Sequence, residues 1–153
     1  WHELKKLDQT RPVFIESESK KIGDLRIPEP LISAFRQGFC INITADINKR
    51  TDYLKQNYAH LILEPSTLAI QLNKLRSRHG NSGVDFWLDL ISKGNWDEFI
   101  RDLLQKHYDA SYSKSMQKNF HTFLQAPNYQ LDTLSHDALS STVEAILSNY
   151  STI

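Results

Sequence analysis

Apolar and polar positions alternate in blocks along the first third of the chain. Pro12-Val13-Phe14-Ile15 is a short, continuous apolar run that ends in Glu16-Ser17-Glu18-Ser19. That pattern predicts a strand buried on both faces, emerging into a polar loop, and with it a parallel sheet. Residues 20–27, which include Gly23, form a connector, and Pro28-Glu29-Pro30 opens a short helix that runs through Arg36 and stops at Gln37-Gly38. Phe39-Cys40-Ile41-Asn42-Ile43 is a second β-rich run. Asp46 then begins a helix that places Ile47, Thr51, Leu54 and Tyr58 on one face. Strand, helix, strand, helix is the order that βαβ units produce.

The pattern changes after Glu64-Pro65. Leu68, Leu72, Leu75 and His79 make one helical stripe closed by Gly80, and Val84, Trp87, Leu88 and Ile91 make the next, broken at Gly94. Trp96, Phe99, Ile100, Leu103 and His107 make a third. Phe120 to Leu124 is expected to form a short strand before a turn at Pro127-Asn128. Ser135 is expected to cap a final helix whose Leu139, Val143, Ile146, Leu147 and Tyr150 share a side. These signals divide the chain into 1–64, an α/β part; 65–118, a helical insert; and 119–153, a closing strand and helix.

Composition narrows the function classes. The chain has 153 residues, enough for a single core, and its 18 basic and 18 acidic side chains cancel, so any nucleic-acid contact has to come from a local patch. No apolar run approaches the roughly 20 residues of a membrane helix. The single Cys40 excludes an internal disulfide and fits a reducing, cytoplasmic setting. No Cys/His cluster with metal-ligand spacing is present. Trp1 opens the chain without an initiator Met or a signal peptide, so a longer parent with its catalytic segments upstream is expected.

Several residues are candidates for chemistry. Glu16, Glu18, Lys20 and Lys21 follow the first predicted strand, where open parallel sheets bind ligands. Carboxylates there can hold a metal-bound water or accept a proton, and the lysines can pair with phosphate. The plainer reading is a solvated, charge-balanced loop. Arg50 lies at the edge of the apolar helix face and can reach inward to grip a phosphate or a carboxylate, with Glu16 or Glu18 as candidate partners; its alternative is a snorkelling side chain. Lys74, Arg76, Arg78 and His79 form a basic cluster near a helix end, a candidate RNA contact or a plain solvated face. Cys40, flanked by Phe39 and Ile41, is expected to be a buried and inert thiol, and His107 a packed core histidine.

The run from Arg11 to Gly23, Arg-Pro-Val-Phe-Ile-Glu-Ser-Glu-Ser-Lys-Lys-Ile-Gly, followed by Ile27-Pro28-Glu29-Pro30-Leu31, resembles the tRNA 2-selenouridine synthase family. Arg50, Tyr58, the stretch from Leu75 to Gly80, Trp96, Leu103-Leu104, His107-Tyr108-Asp109, Tyr112 and Ser115 extend the resemblance in the same order. It implies an α/β fold, part of a P-loop NTPase-like parallel sheet with a helical insert, helix-rich overall. It also implies an enzyme that replaces the sulfur of wobble 2-thiouridine in tRNA with selenium through an S-geranylated intermediate, with selenophosphate and geranyl diphosphate as substrates. The family's rhodanese-like segment with its reactive cysteine, and its phosphate-binding loop, are expected upstream. No G-x-x-x-x-G-K-[ST] motif occurs here. The fragment is therefore expected to be inactive alone, with no metal and no cofactor bound. The alternative is a non-catalytic tRNA-binding or protein-interaction module.

Overall fold

A computed structural model describes residues 2–17 and 20–150. It is helix-rich and contains a small parallel sheet. By packing, the chain forms two compact units: residues up to Thr44 together with those from Lys114 onward, and Ala45 to Ser113 between them.

In the first unit, the strand expected at residues 12–15 does not form. These residues belong to no regular element, and among the described residues no strand pairs with them; Val13, Phe14 and Ile15 stay about half exposed, at 51%, 48% and 48%. A strand exists only when another strand satisfies its N–H and C=O groups, and no described segment does so here. The expected connector instead folds as a hairpin of β1 (Lys21–Ile22) and β2 (Leu25–Arg26), with Lys21 opposite Arg26. Its two-residue turn is possible because Gly23 adopts a φ of 59°.

Helix α1 (Glu29–Arg36) begins as predicted, with Pro30 in its first turn, and buries Ile32. The next strand, β3 (Asn42–Ala45), starts later than its apolar run suggests. Phe39 lies outside it and tilts against Tyr150, with ring centroids 5.6 Å apart, while the Cys40 N–H donates to Thr122 Oγ1 at 3.2 Å. Residues 120–124 are not a strand either. They lead into a 3₁₀ turn at Phe123–Gln125, and the paired strand is β4 (Asn128–Leu131). The expected turn at Pro127 is instead where the ladder begins: Pro127 has no N–H to donate, but its carbonyl accepts from Asn42 N at 2.9 Å. The last helix of the unit spans His136–Tyr150. Ser135 caps it through Oγ, which accepts from Ala138 N at 3.3 Å. Of its predicted stripe Ile146 is buried, whereas Leu139, Val143 and Leu147 remain exposed.

The second unit is helical throughout. Helix α2 (Ile47–Asn57) is capped by Asp46, whose carboxylate accepts from Asn48 N at 2.8 Å and is thereby held below the usual carboxylate range. Thr51 is fully buried and satisfies its hydroxyl by donating to Ile47 O at 2.8 Å. Short α3 (Ala59–Leu63) and α4 (Pro65–Asn73) lead to α5 (Arg76–Ser92), and α6 (Trp96–Leu103) follows after Gly94. Gly80 interrupts α5 at φ 72°, ψ 172°, so the predicted stop at this glycine is a kink between two helical segments. From α6 the chain passes through a π-helical turn, Leu104–Asp109, into α7 (Ala110–Asn119). Leu72, Val84, Trp87, Leu90, Ile91 and Phe99 form the core, most of them on the predicted stripes. Since α2 packs along α6, it groups with these helices.

Candidate functional site

Three features converge in the helical unit. The first is a half-open pocket of about 250 Å³. Leu54 comes to it from α2, Tyr58 from the junction of α2 and α3, Ile62 from α3, Leu68 from α4, Ile100 and Leu103 from α6, and Leu104, His107 and Tyr108 from the π turn. Hydrocarbon dominates its wall, and the lining residues that carry a polar group are Tyr58, Tyr108, Trp96 and His107. Such a wall holds an apolar chain by removing its surface from water, at about 25 cal/mol per Å².

The second feature is an ion pair. Arg50 donates to both oxygens of Asp109, Nη1 to Oδ2 at 3.0 Å and Nη2 to Oδ1 at 2.7 Å. Arg50 thus grips a carboxylate with both arms of its fork, as its position on α2 suggests. Its partner comes from the π turn, in place of the Glu16 or Glu18 expected from the sequence. On the same turn Tyr108 stacks on Tyr112, with ring centroids 6.0 Å apart and planes 6° from parallel.

The third is a pair of imidazoles. His107 Nδ1 and His79 Nε2 lie 2.8 Å apart, close enough that one carries the hydrogen and the other accepts it. The His79 ring also tilts against Trp87 at 4.9 Å. Burial is the main cause that lowers the His107 pKa below the ordinary imidazole value, with the neighbouring His79 and Arg78 charges adding to it. His107 is therefore a hydrogen-bonded member of a pair at the wall of a pocket, rather than the lone core histidine its stripe suggests. Sequence reasoning missed the pair because the two residues lie on stripes of different helices. The one available signal was that His79 and His107 each end an apolar stripe.

The remaining candidates are more scattered. Glu16 is exposed and follows residues that form no strand among the described residues, so the buried strand expected to lead into its crevice is not there. Glu18 lies outside the described residues. Lys20 approaches Glu29 at 3.5 Å, both side chains being largely exposed, and Lys21 sits in β1. Lys74 donates to Gln71 at 2.8 Å, and Arg76 is engaged by Asp85 at 2.7 Å as well as by Asn73. Arg78 is exposed. Cys40 is a buried free thiol, as its apolar flanks predict. Among the described residues no three His, Cys, Asp or Glu side chains are grouped to hold a metal, and no helix is long and apolar enough to cross a membrane.

Against known proteins, the family model of the tRNA 2-selenouridine synthase AAA domain matches residues 2–82, more than half of the 153-residue chain. The match takes in the unpaired apolar run, the hairpin, α1 to α4 and the kink at Gly80. No curated protein and no solved structure matches the chain.

Proposed function

Because the chain belongs to the tRNA 2-selenouridine synthase family, we propose that it serves the exchange of sulfur for selenium at wobble 2-thiouridine through an S-geranylated intermediate, and that its apolar pocket receives the geranyl chain. The pocket carries this reading. A geranyl group has no hydrogen-bonding atoms, and the wall formed by Leu54, Ile62, Leu68, Ile100 and Leu103 demands none. Geranyl diphosphate is then the donor of the chain and selenophosphate the donor of selenium.

In this proposal the reactive cysteine and the phosphate loop belong to rhodanese-like and P-loop segments elsewhere in the enzyme, and the 153 residues are inactive by themselves. Two observations favour that division: Cys40 is buried, and the chain has no phosphate-loop motif. Lys20 and Lys21 are assigned to the substrate phosphates, and Glu16 and Glu18 on the same polar segment to accepting a proton or holding a metal-bound water beside them. Arg50 stays on this list as a group that would have to exchange Asp109 for phosphate. Lys74 and Arg78 are assigned to the tRNA backbone, with Arg76 a lesser contributor because Asp85 already neutralises it. The setting is the cytoplasm, where tRNA is modified.

The test is to fill the pocket in the intact enzyme. Ile100→Trp and Leu103→Trp should each lower geranylation of 2-thiouridine tRNA by about tenfold or more while far-UV circular dichroism is unchanged, the cost of blocking a site whose chain contributes at least 1.4 kcal/mol. Wild-type geranylation in both variants would remove the pocket from the reaction.

A further inference from the structure

The wall of the pocket is unevenly held. Phe99 and Leu104 are buried, and Arg50 ties the π turn to α2 through Asp109. The side formed by α3 is different. From Gln56 to Thr67 every residue is exposed except Leu61 and Ile62, which are partly buried, and both of these line the pocket. Helix α3 has five residues, four of them apolar, and none is buried. Leu63 at its end is 81% exposed, more than any other large hydrophobic side chain among the described residues. The helix packs chiefly on α2 and α4, its neighbours in the chain, and no side-chain hydrogen bond caps its start. Its backbone leaves helical geometry on both sides, at Tyr58 (φ −111°, ψ 27°) and at Glu64 (φ −123°, ψ 67°), directly before Pro65. A helix this short is not stable by itself, and a segment with few buried contacts between two breaks opens at low cost.

We propose that α3 is a lid on the apolar pocket, hinged at Tyr58 and Glu64, which stands half open over the empty pocket and closes Leu61 and Ile62 onto a bound apolar chain. The inference rests on the pocket being a ligand site and adds how that site is closed. The driving force is the one that binds the ligand. An empty pocket gives the two side chains nothing apolar to pack on, whereas an apolar ligand lets them lose their remaining exposed surface. Occupancy therefore shifts α3 toward the closed position, because the ligand gains contacts there that the open position lacks. The breaks at Tyr58 and Glu64 absorb the movement, as residues at the ends of an element do in other lids, while the anchored part of the wall stays in place.

The experiment binds N-phenylnaphthylamine, an apolar fluorescent probe, to the full chain. On rapid mixing its fluorescence should rise in two phases, the slower reaching a limiting rate as the probe concentration increases, because closing is unimolecular. Hydrogen exchange at residues 59–64 should be fast in the empty protein and slower by about tenfold or more in the bound one, with the amides around Trp87 unchanged. Neither measurement needs a variant. Ile62→Ala should release the probe about fivefold faster or more, since it shortens the closing contact. Ile100→Trp, which fills the pocket, should abolish the binding and the slowed exchange together. A single phase with a rate linear in probe, unchanged exchange at 59–64 in the bound protein, or wild-type release in Ile62→Ala would make α3 a fixed wall, and would overturn the lid while the pocket stands. Failure of the folded wild type to bind the probe, or binding that survives Ile100→Trp, would overturn the pocket itself, and this inference with it.

Discussion

Arg50 and Asp109, 59 residues apart in sequence, meet through two hydrogen bonds of 3.0 and 2.7 Å that tie α2 to the π turn. The same turn delivers His107 and Tyr108 to the pocket, so the ion pair anchors the segment on which the candidate site depends. A π turn widens the backbone ring by one residue and shifts every following side chain around the axis, a distortion often found where function needs it.

The pair should be worth about 1 kcal/mol, discounted for its partial exposure. Arg50→Lys keeps the charge but loses the fork, and urea denaturation should register most of that loss. In a double-mutant cycle, Arg50→Ala and Asp109→Ala should cost less together than the sum of the two alone. Strict additivity would show that the contact contributes no coupling.

Trp87 is 1% exposed and donates its indole N–H to Asp102 at 2.7 Å. Trp87→Phe should keep most of the packing yet leave Asp102 relying on Lys106, a loss of about 1–2 kcal/mol. Trp87→Ala should cost about 3–5 kcal/mol through the cavity it leaves. A wild-type midpoint for Trp87→Phe in a denaturant titration would contradict a role for the hydrogen bond.

Gly80 and Gly83 belong to the same helix but should respond in opposite ways to alanine. Gly80 sits at φ 72°, ψ 172°, a conformation nearly confined to glycine, although no atom lies within 4 Å of an added Cβ. Its replacement should therefore cost about 1–3 kcal/mol in backbone strain alone. Gly83 is helical, and its new Cβ would meet the His79 Cβ at 3.4 Å, an ordinary contact. Gly83→Ala should be neutral or stabilising by up to about 1 kcal/mol. Thermal melts of the two variants decide the matter.

Acid should weaken the helical unit through His107. Burial lowers its folded pKa, so the unfolded chain takes up a proton first, near the ordinary value of 6.5. The stability contributed by the neutral ring is present above that value and is lost as the pH falls below it toward the lowered folded pKa. Urea midpoints measured across this range should drop in the wild type and drop less in His107→Phe. Parallel curves would assign the acid sensitivity to other groups.

Local signals in the sequence determined most of the helices. Pro30 at a helix start, Asp46 and Ser135 as caps, Gly80 and Gly94 as breaks, and the stripes through Leu72, Val84, Trp87 and Phe99 all act within a turn or two of chain, so their meaning survives without knowledge of the fold. The strands were a different matter. Val13-Phe14-Ile15 has strand composition but no ladder partner among the described residues, Phe120 to Leu124 leads into a 3₁₀ turn, and the true partner of β3 starts at Asn128. A strand is defined by a neighbour that may lie anywhere in the chain, and composition does not name it. The candidate site was legible only in pieces. That Arg50 would find a carboxylate followed from its place on the helix; that the carboxylate is Asp109, that His79 faces His107, and that nonpolar residues of α2, α3, α4 and α6 leave a pocket between them are long-range facts, decided only when the helices pack.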